Sequence, residues 1–308
     1  MEWRIVDLSD APASLQCHND QLYIQQGEER HQLPLEELGA LIVSHPQVSF
    51  THGVLKGVCA HGGAFIVCDE KRMPIGQLLP LVAHSTQTER FAAQIKVSVP
   101  LKKQLWCQII RAKILAQAAL LRIINDTDSG LARLALRVRS GDPSNVEGLA
   151  ARKYWAALFG GGFSRIPGAE DPINSHLNYG YAILRSLVAR SLCASGLHPS
   201  LGIHHHNRYD PFCLADDIME PFRPVIDGVV LRLTVQFGRG APVAKDTKKY
   251  LLTEFLAYKI RINREMRDPF DAISMTASSL AEVYTGERPK ELGARKLVLP
   301  DSRYDSKK

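Results

Sequence analysis

The chain has six cysteines, at 17, 59, 68, 107, 193 and 213, and no two of them form a C-x-x-C pair. That absence argues against a zinc ribbon and against a dithiol redox motif, and reads as a set of reduced, buried thiols. Cys213 follows the histidines at 204–206 closely, but a zinc site would need a second soft ligand at suitable spacing, and there is none. The chain also lacks any run of about 18 apolar residues, the length a membrane-spanning helix requires. Its opening residues, MEWRIVDLSD, carry acidic groups and no long apolar core, unlike a secretory signal, so the expected location is cytoplasmic. Internal repeats and long low-complexity tracts are missing as well.

What is present is ordinary globular material: 308 residues, 45% hydrophobic and 23% charged. That length exceeds one typical domain and suits two. The net charge of +6 is unevenly spread. Residues 1–87 carry five Lys/Arg against ten Asp/Glu, whereas residues 88–308 carry 33 against 22. A basic portion attached to an acidic one fits contact with a polyanion, although solvated helix faces collect the same residues.

The first portion reads as short strands at Trp3–Asp7, Gln21–Gln25, Ala40–Val43, Ala64–Val67 and Gln77–Val82, with Pro74 and Gly76 as a turn before the last. Thr51 is placed to cap a helix over HGVLKGVCAH. From Thr88 to Asn125 apolar residues recur at helical spacing, and Pro100 splits that stretch in two. Lys96, Lys102, Lys103, Arg111, Lys113 and Arg122 lie on it. Further helices are expected at roughly 145–159, 174–195, 212–222 and 247–266. The expected fold class is α+β: a small β-rich domain over 1–85, a larger all-α domain over 86–295, and a loose tail at 296–308.

Three segments could carry chemistry. In GDPSNVEGLAARKYWAALFG (141–160), Ser144 and Glu147 have the spacing of a capping box, which by itself accounts for the glutamate. In LGIHHHNRYDPFCLADDIMEPFRP (201–224), three consecutive histidines cannot all point one way, so at most one or two meet a common ligand. Further along that segment Asp216 and Asp217 stand four and three residues before Glu220, sharing a helix face if the helix is regular. Such carboxylates need a counter-charge, which either a divalent cation or Arg223 supplies. Oxygen ligands with one imidazole suit Mn²⁺ or Mg²⁺ better than structural zinc.

These segments, with LKKQLWCQIIRAKILAQA (101–118), INSHLNYGYAILRS (173–186) and CDEKRMPIGQLLPL (68–81), resemble the CRISPR-associated adaptation integrase ("Cas one") family, in detail its type II branch. The likeness runs through about residues 1–270. The resemblance implies a β-domain used for dimerisation and an α-helical catalytic domain. It implies a homodimer that works with the small partner "Cas two" on double-stranded DNA, inserting protospacer DNA into the CRISPR repeat. In that reaction the 3′-hydroxyls of the incoming DNA attack repeat phosphodiesters, and endonuclease activity accompanies it. A type II effector nuclease is a further partner the resemblance suggests. Carried over residue by residue, the metal ligands and catalytic residues fall on Glu147, His205 and Glu220, with Asp217 as a supporting acidic residue. Glutamate at 220 departs from the aspartate of many relatives. Tyr179 and Tyr181 read as core residues, one of them near the DNA backbone. Lys102, Lys103, Arg111 and Arg152 are the expected DNA contacts. Two other functions compete: a metal nuclease of repair or RNA processing without integration, and a non-catalytic dimeric DNA-binding scaffold.

Overall fold

The computed structural model describes residues 3–70, 73–262, 265–287 and 292. Its first part consists of β1 (Arg4–Leu8), β2 (Ala13–His18), β3 (Gln21–Gln26), β4 (Glu29–Pro34), β5 (Leu38–Val43), β6 (Val48–Phe50), α1 (His52–His61), β7 (Ala64–Cys68) and β8 (Pro74–Leu78). One sheet runs β4-β3-β2-β6 and the other β1-β5-β7-β8. Asn19 and Asp20, both at positive φ, make the two-residue turn that joins β2 to β3.

The second sheet is the wall between two cores. β5 reads Leu-Gly-Ala-Leu-Ile-Val and is paired in parallel with β1 and β7, so it is buried on both faces. Leu41 and Phe65 face a small core with Leu15, Leu22, Leu35 and Val58. Ala40, Ile42, Ala64 and Ile66 point the other way, into the large helical core. Alternation of side chains along each strand makes both contacts from one sheet.

The helical part comprises α2 (Gln87–Ile95), α3 (Val99–Asn125), α4 (Leu131–Ala135), α5 (Val146–Phe159), α6 (Pro172–Ala194), α7 (Cys213–Met219), α8 (Arg223–Phe237), α9 (Lys245–Ala257), the hairpin β9 (Ile260–Ile262) and β10 (Glu265–Arg267), and α10 (Pro269–Thr285). Pro100 sits in the first turn of α3, where its missing N–H costs nothing. Gly180 of α6 lets α8 approach: a Cβ there would lie 2.5 Å from Ile226 Cγ2. The strand part is tied to the helices by Lys248, whose Nζ lies 3.1 Å from Asp7 Oδ2, and by stacking of Trp3 on Phe270.

Several expectations change. The segment at 74–78 is a strand, with Pro74 as its first residue, and Leu81 and Val82 beyond it are exposed. The helix expected over 247–266 ends at Ala257, because Ile260-Arg261-Ile262 alternates buried and exposed and pairs as a hairpin. Strands β2, β4 and β6 and helices α4, α8 and α10 were not expected; β4, Glu-Arg-His-Gln-Leu-Pro, offers almost no apolar pattern to read. The tail at 296–308 lies outside the described residues. No helix among the described residues is long and apolar enough to cross a membrane.

Candidate metal and nucleic-acid site

Helix α7 runs into a 3₁₀ turn at Glu220–Phe222 and then directly into α8. Pro221 is the cause: it has no N–H to give the preceding turn, so the chain tightens there. The three nearby carboxylates take three different partners. Asp216 accepts from Arg185 Nε at 2.8 Å, Asp217 turns to the histidine loop, and Glu220 turns to α3 and α5. All three carboxylates nevertheless act on one group, the His205 imidazole, whose pKa each of them raises.

Glu147 and Glu220 do come together. Both lie 2.6 Å from one atom, Lys113 Nζ, through Glu147 Oε1 and Glu220 Oε2. The second oxygen of Glu220 is 3.0 Å from Arg223 Nε, and the Arg223 guanidinium lies 4.7 Å over the ring of Tyr181. Burial, the largest influence on Glu220, works to raise its pKa, but Arg223, Lys113 and His205 outweigh it and hold the carboxyl below its usual range. Burial likewise works against the Lys113 ammonium, and the two carboxylates carry its pKa above the ordinary value.

The capping box expected at Ser144 is replaced by a different cap. Asn145, at φ 47°, accepts from Gly148 N, while the Asp142 carboxylate accepts from Val146 N and Glu147 N. These two side chains satisfy the first amides of α5, which leaves the Glu147 carboxylate free to turn to Lys113.

Asp217 is fully buried and organises the histidine loop. Its Oδ2 accepts from Ile203 N at 2.6 Å and His204 N at 2.9 Å; its Oδ1 accepts from His205 N at 3.2 Å and pairs with His205 Nδ1 at 2.6 Å. Gly202 makes this wrap possible, since a Cβ there would lie 2.2 Å from the His205 carbonyl oxygen. The bond from Asp217 raises the pKa of His205, whose side chain is part-exposed. The three histidines diverge. His204 stacks on Trp106 with 4.1 Å between centroids, His205 takes Asp217, and His206 bonds the His204 carbonyl.

Two recesses flank this group. A cavity of about 840 Å³ is lined by Arg165, Tyr181, Arg185, Met219 and Arg223 among others. A smaller one of about 390 Å³ includes Lys102, Gly202, His205, His206 and Arg208. Beneath the larger, buried Asp227 accepts from Tyr154 OH at 2.7 Å and from Tyr181 OH, and burial pushes its carboxyl up to about 6. Tyr179 is a core residue whose hydroxyl donates to Asp7 at 3.3 Å.

The expected DNA contacts fall in different settings. Lys103 and Arg152 are exposed, and Lys102 Nζ donates to the Gly202 carbonyl at 3.2 Å. Arg111 is exposed but spends Nε and Nη2 on the Val138 carbonyl, at 3.1 and 2.6 Å. Lys113, counted in the sequence among the basic residues of this helix, instead points inward. The signal was its position, four after Ile109, three after Ile110 and three before Ala116, all buried.

Among the described residues no three His, Cys, Asp or Glu side chains converge in an arrangement that would hold a metal. The donors nevertheless suit a hard divalent cation: two carboxylate oxygens meet at one cationic point, and a nearby imidazole has its Nδ1 held by a carboxylate. Glu147 and Glu220 are the pair that could hold such a cation, and His205, with Asp217 behind it, is the imidazole beside them.

Residues 8–240 match the model of the family described as CRISPR associated protein Cas1. The CRISPR-associated endonuclease Cas1 of Neisseria meningitidis serogroup C (strain 8013) is 37% identical over 309 residues, covering 99% of each chain. A structure of a casposase bound to its integration product superposes with a TM-score of 0.79 at 18% identity, covering 98% of this chain and 95% of that one. The Cas6-RT-Cas1–Cas2 complex has a TM-score of 0.69 at 18% identity, over 94% of this chain and 35% of that one. With the family matched over most of its length and a full-length relative at this identity, the chain belongs to the Cas1 family.

Proposed function

We propose that this protein is a Mg²⁺- or Mn²⁺-dependent DNA endonuclease and integrase that inserts protospacer DNA into a CRISPR repeat. The observation that carries the reading is the meeting of Glu147 and Glu220, from separate helices, 2.6 Å from one cation. Two further findings support it: the full-length relative is an endonuclease, and the fold is that of a casposase captured with an integration product.

Glu147, His205 and Glu220 would hold the divalent ion. Once bound, the ion supplies Lewis-acid polarisation of the phosphodiester and lowers the pKa of the attacking hydroxyl. The rest is done by the chain. Asp217 keeps the His205 proton on Nδ1 and turns the ring, so that Nε2 is the nitrogen left to ligate. Arg223, laid on the Tyr181 ring, fixes the Glu220 carboxylate. In the joining reaction a DNA 3′-hydroxyl attacks a repeat phosphodiester, one P–O bond forms as another breaks, and the leaving strand departs with a new 3′-hydroxyl. Exposed Lys103 and Arg152 and the recess-lining Lys102 bind DNA phosphates, and Arg111 joins them only with donors not committed to Val138. The working assembly is a homodimer with the small Cas2 partner, a partnership supported by the Cas1–Cas2 neighbour, and a type II effector nuclease can join it.

An integration assay on a repeat-bearing plasmid, with and without the Cas2 partner and Mn²⁺, tests this. Strand-joined product that needs the partner, the metal and Glu220 is expected. Cleavage without joining, and without need of the partner, would mean a repair nuclease. DNA binding with no metal-dependent product would mean a scaffold.

A further inference from the structure

Lys113 stands on the apolar face of α3, with Ile109, Ile110, Ala112, Ile114 and Ala116 all buried around it. A lysine there is costly unless its charge is met. Here it is met by the carboxylates assigned above as metal ligands: its side chain is 13% exposed, and its Nζ touches Glu147 Oε1 and Glu220 Oε2 at the same 2.6 Å. The buried Glu220 Oε2 has this ion pair but no aligned hydrogen bond. Lys113 Nζ does donate a hydrogen bond to Glu147 Oε1, so a cation that takes its place displaces that one bond and, at Glu220, a point-charge contact.

Resting on the reading of Glu147 and Glu220 as ligands, we propose that Lys113 is a tethered placeholder cation at the metal site. In the metal-free protein its ammonium neutralises the two carboxylates and keeps them converged. Divalent-metal binding then requires the ammonium to withdraw, so the lysine charge sets how tightly the site takes the ion. The two oxygens cannot serve an ammonium and, at about 2.1 Å, a divalent ion at the same point. The flexible four-carbon stem of lysine allows the exchange, which a rigid guanidinium fork would resist. Lys113 is thus a positioning residue whose charge trades metal affinity for stability of the empty site.

The test uses the full chain. Mn²⁺ titrations followed by electron paramagnetic resonance, and thermal unfolding with chelator or with Mn²⁺, compare wild type with K113M, K113Q, E147Q and E220Q. K113Q keeps a hydrogen-bond donor for the carboxylates while removing the charge, and so reports on charge even if K113M does not fold. Both lysine variants should bind Mn²⁺ at least about tenfold more tightly, the effect of removing a like charge from a partly buried site. They should unfold at a lower temperature without metal and gain more from Mn²⁺ than wild type does. A purely structural lysine would lower the metal-free unfolding temperature and leave Mn²⁺ affinity alone. Unchanged or weaker affinity in K113Q therefore overturns the proposal. Wild-type Mn²⁺ affinity in E147Q and E220Q is a separate result, and shows that the ligand assignment itself has failed.

Discussion

Replacing Asp217 by asparagine tests whether one buried carboxylate both holds the histidine loop and orients His205. The carboxylate accepts three backbone N–H bonds and pairs with His205 Nδ1. Asparagine keeps one carbonyl oxygen, so the other two interactions meet an NH₂ group that can only donate. Hydrogen bonds to a charged acceptor contribute about 1.5–3 kcal/mol each, so losing two costs about 3–6 kcal/mol, a large part of a typical 5–15 kcal/mol stability. That loss of two applies when the amide nitrogen faces Ile203 and His204. If it faces the imidazole instead, only the bond from His205 N is lost, about 1.5–3 kcal/mol, and the amide donates to Nδ1, which moves the ring proton to Nε2 and removes the lone pair a metal would use. Loss of such an orienting partner commonly lowers metal affinity about 10–100-fold. Urea denaturation at neutral pH reads the loss of stability, and Mn²⁺ titration of the folded variant reads the loss of affinity. D217N within about 1 kcal/mol of wild type would refute the loop argument. Destabilisation with wild-type Mn²⁺ affinity would leave Asp217 as a loop tie only and refute its hold on His205.

Other perturbations read neighbouring parts of the site. G202A drives a Cβ to 2.2 Å from the His205 carbonyl, so it should lose integration activity and about 1–3 kcal/mol of stability, read by strand-transfer assay and denaturation; an active, stable G202A would show the loop can open freely. E220A should abolish Mn²⁺-dependent product while DNA affinity in a filter-binding assay stays near wild type, because the exposed lysines and arginines remain. The K102Q/K103Q pair should lower the slope of log affinity against log salt by about 1.8, if each lysine neutralises one phosphate; an unchanged slope would make both side chains merely solvated. Asp227 gives a pH signature. Folded, it keeps its proton to about pH 6, well above the ordinary carboxylate value. The folded state therefore binds more protons, and this group's contribution to stability falls as pH rises from about 4 to 6, by about 3 kcal/mol. Wild type should lose that much relative to D227N across the same range in denaturation curves.

Much of this protein was legible along the chain, and the limits of that reading have physical causes. The split into a strand-rich first part and a helical remainder followed from a change of apolar period, and Pro100 marked the start of α3 because proline is tolerated only in a first turn. Glu147, His205, Asp217 and Glu220 were singled out through ordered motifs, since each by spacing alone had an unremarkable role. Strand β4 was missed because its side chains are mostly polar, so its pairing comes from the neighbouring β3 and not from its own residues. Spacing placed Asp216, Asp217 and Glu220 close together but could not say that each takes a different partner, Arg185, the histidine loop and Lys113.

Residue types, periodicity and motif order thus determined which side chains could do chemistry and on which elements they ride. Only the tertiary structure decided their partners. It turned Asp217 into the loop of His205 and capped α5 with Asn145 and Asp142, so that Glu147 was free to turn away. It also brought Lys113 from a separate helix to the point where Glu147 and Glu220 meet. Spacing along one helix says which residues share its face; which charge a buried carboxylate meets depends on the element packed against that face.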